Sequence, residues 1–219
     1  MRRRGRIIRK MRCVILAAGP VENAEILCPL LRPDDWVIAA DGGVRLAGRL
    51  GIQPNLIVAD FDSAKPDELS SDEVPQIRMP VEKDLTDTMA AAAEGLKRGF
   101  RDFLLLGCTG GRLDHTQACI AVMHYLLNRG AHAILADEHN RLELHIPGRF
   151  TVEPREFWKL SLLPYAGNVS GLTVKNAAYP LENKTLVMDD TLGISNEFLE
   201  GPVEISFQEG ILMVFLSKD

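Results

Sequence analysis

The sequence predicts an N-terminal α/β domain built on a parallel sheet, followed by a C-terminal antiparallel β domain that forms a sandwich. The first 137 residues alternate short apolar runs with stretches of helical periodicity. The apolar runs are continuous, as in strands buried on both faces of a parallel sheet. From about residue 140 no helical period of useful length appears, and Gly, Pro and Asn separate short β-prone pieces.

The predicted strands and helices follow one another along the N-terminal part. Strands are predicted at 13–19, 36–41, 56–62, 76–80, 103–108 and 133–137. Helices are predicted at 21–31, 44–51, 84–98 and 114–129. Strand, helix and strand in series form a parallel sheet with helices on both faces.

The C-terminal part carries β-prone pieces only. They lie at 150–157, 158–165, 172–179, 185–190, 202–207 and 211–217. The last two predict a hairpin, with Gly210 at a position of positive φ. We expect a basic extension at 1–11, an α/β domain at 12–140 and a β-sandwich at 141–219.

Charge and hydropathy exclude several classes of protein. The net charge is −5, yet residues 1–12 carry seven of the 25 basic side chains, Arg12 among them, and no acid. The acidic remainder argues against a nucleic-acid partner, and the basic head is expected to be a solvated terminus. No apolar run approaches the length of a membrane span, so no membrane partner is expected.

Four cysteines stand at irregular spacings in the first half of the chain, at Cys13, Cys28, Cys108 and Cys119. There is no Cys-x-x-Cys pair, and each cysteine lies in an apolar stretch. This usage predicts reduced, buried thiols in a cytoplasmic protein.

Two aspartates follow the third predicted strand in ADFDS (59–63). In extended chain, residues two apart point the same way, so Asp60 and Asp62 share one side. Ligand sites of open parallel sheets lie at this end of the strands, and Mg²⁺ prefers oxygen ligands. The alternative is a turn capped by aspartates.

The segment EKDLTD (82–87) opens an Ala-rich helix. Asp84 and Asp87 are three apart and share a face of that helix. The alternative is a capping box with Asp84 as the N-cap and Asp87 at the third helical position. Lys83 either pairs with a phosphate or is solvated.

The segment GCTGGRLDH (107–115) joins a buried strand to a helix. Gly110 and Gly111 let the backbone approach a ligand, and the helix N-terminus suits an anion. Arg112 can grip a phosphate through its fork of donors. Asp114 and His115 stand at the helix start. The alternative is a tight turn with an aspartate cap.

Two further polar motifs are ADGG (40–43) and GISNEF (193–198). Asp41 ends a predicted strand and could serve the same site as the other acids. The alternative is that Asp41 forms a turn and has no further function. Ser195 and Asn196 offer compact donors and acceptors for a heterocycle, or form a polar hairpin tip. Acid-bearing motifs at one end of a parallel sheet, with a basic phosphate grip, indicate a metal–phosphate site.

ADGG, ADFDS, EKDLTD, GGRLDH and SNEF, in this order, resemble the bacterial type of thiamine pyrophosphokinase. The resemblance covers about residues 12–217. The family pattern usually has Gly where this chain has Ala59. The resemblance implies a Rossmann-like α/β domain, a C-terminal β-sandwich, and transfer of a pyrophosphoryl group from ATP to the hydroxyl of thiamine. The products are thiamine diphosphate and AMP.

The resemblance also implies roles for individual residues. The magnesium-site acids are Asp60, Asp62 and Asp84. The residues implied to lie at the nucleotide and its phosphates are Asp41, Gly42, Gly43, Lys83, Thr86, Asp87, Gly110, Gly111, Arg112, Asp114 and His115. Three of these, Asp87, Arg112 and Asp114, are implied to be catalytic together with the three magnesium-site acids. The thiamine-contacting residues are Ser195 and Asn196. The resemblance further implies a cytoplasmic homodimer whose active sites are shared between chains.

Two other functions remain open at the level of sequence. A related enzyme could pyrophosphorylate another heterocyclic alcohol, such as a pterin, and a substrate panel would distinguish it. A non-catalytic thiamine or nucleotide sensor on the same fold is expected to have lost the acids, and this chain retains them all.

Overall fold

The computed structural model describes residues 11–59, 74–79 and 85–219. By its internal contacts the chain divides into two compact units, Met1–Ala133 and Ile134–Asp219. The boundary expected at 140/141 and the extension at 1–11 stay predictions.

The N-terminal unit is built on a parallel sheet, as predicted. Its strands are β1 (Cys13–Leu16), β2 (Trp36–Ala40), β3 (Leu56–Ala59), β4 (Gln76–Arg78) and β5 (Asp102–Leu106). They lie in the order β4-β3-β2-β1-β5, and every neighbouring pair is parallel. β1 and β3 are buried along their whole length, which explains their continuous apolar sequence.

Within the described part of this unit, the chain forms three α-helices and one 3₁₀-helix. The α-helices are α1 (Gly43–Arg49), α2 (Asp87–Lys97) and α3 (Leu113–Leu127). The helix expected at 21–31 is instead a 3₁₀-helix, Ala24–Leu30, which contains Pro29. Proline lacks the N–H that an α-helix needs there. No helix within the described ranges is long and apolar enough to cross a membrane.

Both helix-capping alternatives drawn from the sequence are wrong. Thr86 is the N-cap of α2, where its hydroxyl accepts from Met89 N at 3.2 Å, so Asp87 is the first helical residue. At α3 the N-cap is Arg112, and Asp114 is the second helical residue. Neither aspartate is therefore an N-cap residue, although both place negative charge in a first helical turn, where the dipole favours it.

The C-terminal unit is a sandwich of two sheets. The first contains β6 (His132–Ala136), β7 (Asn140–His145), β12 (Glu209–Ser217) and the start of β9 (Lys159–Lys175). The second contains β8 (Gly148–Val152), β10 (Leu181–Leu186), β11 (Val203–Phe207) and the end of β9. All these pairings are antiparallel. A core of buried side chains from both sheets includes Leu160, Val174, Ile205 and Val214.

The hairpin expected across Gly210 is wrong in its pairing. β11 and β12 are consecutive, yet each pairs with β9, in different sheets. Gly210 does have positive φ, at 92°, and a Cβ there would collide with the carbonyl oxygen of Asn168. A single residue, Gln208, separates the two strands, so the chain turns a corner between sheets where a hairpin loop has no room.

Arg12 is part of the folded unit, which corrects its assignment to a solvated basic head. Its side chain is 5% exposed and that of Asp35 is 3% exposed. The guanidinium donates to both Asp35 carboxylate oxygens at 3.0 and 2.6 Å, and to Leu30 O at 2.7 Å. The other six basic residues of the head lie outside the described residues.

The cysteines are free, as expected, but they are not all buried. Cys13, Cys108 and Cys119 are buried, whereas Cys28 in the 3₁₀-helix is exposed. Burial raises the pKa of the Cys13 thiol to about 12, so this thiol stays protonated.

We predict that Arg12→Met lowers the free energy of unfolding by about 3–5 kcal/mol, because it leaves the buried Asp35 carboxylate without its cation. Urea unfolding at unchanged m-value measures this. The exposed Arg149→Met is the matched control, expected to change stability by less than about 0.5 kcal/mol. Adding Asp35→Leu to Arg12→Met should recover part of the loss. Equal stability of Arg12→Met and wild type would contradict the assignment.

Candidate active site

A cavity of about 340 Å³ opens at the carboxyl ends of β1, β2 and β5 in the N-terminal unit. This is the edge at which open parallel sheets bind ligands. Its wall comes from the segments that follow these strands and from the first turns of α2 and α3. The lining residues are Ala17, Ala18, Gly19, Pro20, Ala40, Asp41, Thr86, Asp87, Thr88, Gly107, Cys108, Thr109, Gly110, Arg112, His115 and Cys119.

The floor of the cavity is backbone, because the loops after β1 and β5 lie directly against each other. Ala17 N donates to Leu106 O at 2.8 Å, and Gly19 N donates to Gly107 O at 2.7 Å. A Cβ at Gly19 would collide with the Gly107 carbonyl oxygen. Glycine is therefore required where the two loops cross.

Asp41 is the least satisfied polar residue of the wall. It follows β2 with φ of 45°, an accessible conformation for aspartate. Its Oδ1 is buried and accepts no hydrogen bond from any residue in the described ranges. A buried carboxylate oxygen without a partner is costly, so a cation or a donor from a ligand would stabilise it.

Gly42 and Gly43 do not line the cavity but bring α1 against it. A Cβ at Gly43 would collide with the carbonyl oxygen of Leu16 at the end of β1. At Gly42 it would lie 3.0 Å from the Cβ of Ala18. The two glycines thus let Asp41 stand close to the loop after β1.

Arg112 and Asp114 form a two-point ion pair at the start of α3. Arg112 Nε and Nη2 donate to the two Asp114 oxygens at 3.1 and 2.6 Å, and His115 N donates to Asp114 Oδ1 at 3.0 Å. The hydrogen bond with Arg112 lowers the pKa of Asp114, and the same bond raises the pKa of Arg112. Both side chains are exposed. Only Arg112 of the pair lines the cavity, and its bonds to Asp114 use Nε and Nη2 but not Nη1.

The structure brings six of the predicted site residues to this cavity: Asp41, Thr86, Asp87, Gly110, Arg112 and His115. Gly111 adjoins it in the same left-handed turn, with φ of 79° at Gly110 and 63° at Gly111. Asp60, Asp62, Lys83 and Asp84 lie outside the described residues. No group of three or more acidic, histidine or cysteine side chains able to hold a metal occurs within the described part of the chain.

Sequence analysis missed part of the wall. Thr88, Cys108, Thr109 and Cys119 line the cavity, as do residues 17–20. The small residues at the end of the first predicted strand were the available signal for 17–20, since β1 itself ends at Leu16. Cys119 had none, because its exposure to the cavity depends on how α3 packs.

The other predicted residues lie in the C-terminal unit, in the loop before β11. Ser195 has φ of 58° and an exposed side chain, and its N–H donates to Ser161 Oγ at 3.0 Å. Asn196 is 7% exposed. Its Oδ1 accepts from Tyr179 N at 3.0 Å and Glu197 N at 2.9 Å, and its Nδ2 donates to Tyr179 O at 2.8 Å. The amide of Asn196 is therefore engaged within the protein.

Comparison with known proteins covers both units. A family model described as thiamin pyrophosphokinase, catalytic domain, matches residues 27–135. A second, described as thiamin pyrophosphokinase, vitamin B1 binding domain, matches residues 149–212. The thiamine pyrophosphokinase of Bacillus subtilis (strain 168) is 30% identical over 209 residues, which cover 94% of this chain and 98% of that protein.

Solved structures agree with the sequence comparison. The crystal structure of thiamine pyrophosphokinase from Bacillus subtilis has a TM-score of 0.88 at 27% identity, covering 96% of this chain and 100% of that one. The enzyme from Geobacillus thermodenitrificans has a TM-score of 0.85 at 30% identity, covering 95% and 98%. With both family models matched along most of its length, the chain belongs to the thiamine pyrophosphokinase family.

Proposed function

We propose that the chain performs the reaction of its family, transfer of a pyrophosphoryl group from ATP to the thiamine hydroxyl, at the cavity of the N-terminal unit. The observation that carries this is the buried Asp41 Oδ1, which lacks a partner within the described residues and lies in a cavity that Arg112 and the start of α2 also line. Such a site offers a cation-seeking carboxylate, a guanidinium and helix N–H groups to a metal-bound polyphosphate.

The donor set fits Mg²⁺, since the Asp41 oxygen without a partner among the described residues is a hard ligand, and Asp41 N donates to Val58 O of β3 at 2.9 Å. Asp60, Asp62 and Asp84 are the residues proposed to hold the ion, which when bound neutralises phosphate charge. Arg112 binds a phosphate oxygen through Nη1 while Asp114 holds its orientation. Lys83 neutralises further phosphate charge. His115 and the Gly110–Gly111 turn form the edge of the phosphate subsite.

Transfer of a pyrophosphoryl group depends on positioning the two substrates and on stabilising the charge of the phosphates. The thiamine hydroxyl attacks the β-phosphorus of ATP, the bond from that phosphorus to the bridging α–β oxygen breaks, and AMP leaves. One of the aspartates proposed for this site accepts the hydroxyl proton. Asp87, at the first position of α2, and the N-cap Thr86 line the same cavity as Asp41 and Arg112.

We assign thiamine contact to the loop at Ser195 and Asn196. Ser195 presents an exposed hydroxyl to the heterocycle. Asn196 fixes the loop through two hydrogen bonds with the Tyr179 backbone and one from Glu197 N, so its contribution to thiamine binding is to hold Ser195 in place.

We also propose a cytoplasmic homodimer with shared active sites. Large apolar side chains beside the Ser195 loop are exposed, among them Tyr179 at 65%, Leu192 at 50% and Leu199 at 54%. Apolar groups gathered near a ligand loop favour cover by a partner chain. Light scattering at micromolar protein should give twice the 24.2 kDa chain mass, and a monodisperse monomer would contradict shared sites.

The reaction is tested by AMP release from ATP and Mg²⁺, with and without thiamine, while thiamine diphosphate is measured as fluorescent thiochrome. We expect AMP and thiamine diphosphate in equal amounts. Asp62→Asn should lower turnover by about 100-fold or more with the fold intact. Exposed Asp34→Asn is the matched control and should turn over like wild type. ADP with thiamine monophosphate would contradict the site of attack, and turnover of a pterin alone would contradict the substrate.

A second prediction separates function from stability at Asp41. Asp41→Asn keeps the shape of the side chain, and the buried Oδ1 it replaces accepts no hydrogen bond from a described residue, so the free energy of unfolding should fall by no more than about 0.5 kcal/mol. Turnover should fall by about 10-fold or more, because the ligand loses a charged partner. Denaturant unfolding and the AMP assay on one preparation measure both. A large loss of stability with normal turnover would mark Asp41 as structural.

A third prediction contrasts the two loop residues. Ser195→Ala should raise KM for thiamine about 10-fold, as expected for one lost hydrogen bond, and leave unfolding unchanged. Asn196→Ala should lower the free energy of unfolding by about 2–4 kcal/mol, because it removes three hydrogen bonds of a buried side chain. Urea unfolding and thiamine saturation curves decide between them. If Asn196→Ala changed only KM, Asn196 would be a direct thiamine contact.

A further inference from the structure

Two thiols lie in the wall of the cavity, and the proposed reaction uses neither. Cys108 follows β5 and Cys119 lies on α3, and both line the cavity with Thr88. They are 4% and 6% exposed, so their access to solutes is through the cavity. Cys108 Sγ lies 3.8 Å from Leu106 O, which fixes it at the end of the strand.

Cys108, Cys119 and Thr88 share one wall of this cavity, and the interaction between them acts on the pKa of both thiols. Donation from Cys108 and Thr88 stabilises a thiolate at Cys119 and lowers its pKa, while the bond to Cys119 and burial raise the pKa of Cys108. Cys119 is therefore the more nucleophilic thiol and Cys108 its neighbouring partner. Cys13 is protonated and buried elsewhere, Cys28 is exposed on the 3₁₀-helix, and neither thiol lines this cavity.

We propose that Cys108 and Cys119 form a peroxide-sensitive dithiol whose oxidation to a disulfide closes the phosphate cavity. The thiolate of Cys119 attacks a peroxide oxygen, the O–O bond breaks, and the departing oxygen takes a proton to leave as an alcohol or water. Cys108 then attacks the sulfenic sulfur, the S–S bond forms, and water leaves. The two thiols lose two electrons and the peroxide gains them.

The disulfide would act on the segment proposed to hold phosphate. It would join the end of β5 to α3 across residues 109–118, which contain the Gly110–Gly111 turn and Arg112. Drawing the two sulfurs together to bonding distance would tighten this turn against α3, in a cavity of about 340 Å³. The effect on ATP rests on the proposed function, whereas disulfide formation does not.

The test uses the full chain carrying Cys28→Ser, which removes the exposed thiol that could link two chains. Reduced protein is treated with hydrogen peroxide, then alkylated and digested with trypsin under non-reducing conditions. Cleavage at Arg112 separates the two cysteines into different peptides. The expected product is a cross-linked pair of these peptides, with the intact protein lighter by two hydrogen atoms and Cys13 alkylated once unfolded.

Function is followed in the same samples by ATP binding without thiamine. Oxidised protein should bind ATP about 10-fold or more weakly, and a phosphine reductant should restore binding. Cys108→Ser and Cys119→Ser, each in the Cys28→Ser chain, should bind ATP as the reduced parent does and keep that binding after peroxide.

Two results would overturn the proposal: no Cys108–Cys119 cross-link, or a cross-link that leaves ATP binding unchanged in protein that binds ATP when reduced. Weak ATP binding by the reduced protein together with a formed cross-link would instead count against the proposed function and support the dithiol. Detection of the cross-link and measurement of ATP affinity therefore distinguish failure of the dithiol proposal from failure of the proposed function.

Discussion

The site depends on how closely the backbone at the end of β1 approaches its neighbours. The loop after β1 donates to Leu106 O and Gly107 O, and α1 begins where a side chain at Gly43 would strike Leu16. Only glycine fits at Gly19 and Gly43, so the sheet edge is lined by peptide groups. This close approach of the backbone leaves space above the sheet edge for one cavity, which Asp41, Arg112 and the first turn of α2 line.

The polar residues of the two units differ in how their hydrogen-bonding capacity is used. The side-chain amide of Asn196 is hydrogen-bonded within the protein, and these bonds fix the conformation of its loop. Asp41 leaves a buried oxygen without a partner among the described residues, a cost that folding alone does not recover. A satisfied buried group is explained by stability, and an unsatisfied one beside a cavity is explained by a ligand. The same distinction separates Arg12, paired with Asp35 in the protein interior, from Arg112, whose ion pair with Asp114 lies at the surface and does not use Nη1.

Much of the fold could be predicted because burial on both faces leaves a continuous apolar sequence in β1 and β5, and glycines mark the loops that follow. The sequence could not show that Arg12 is buried, since its partner Asp35 is distant along the chain. It could not show that β11 and β12 belong to different sheets, because both patterns also suit a hairpin. Motif order led to the family, yet the role of Asn196 depends on a contact with Tyr179 that spacing does not encode. The acids at 60, 62 and 84 remain predictions.

Strand β9 runs from Lys159 to Lys175 and contributes to both sheets of the C-terminal unit. Its bend, where Ala166 and Gly167 have positive φ, lets one backbone turn from the first sheet into the second. Neither sheet can lose this strand without exposing the core that both share. The unit should therefore open as one cooperative body, so that amides in its two sheets exchange with solvent through the same rare event. The continuous backbone of β9 thus links the two sheets covalently, as a disulfide between sheets does in other sandwiches.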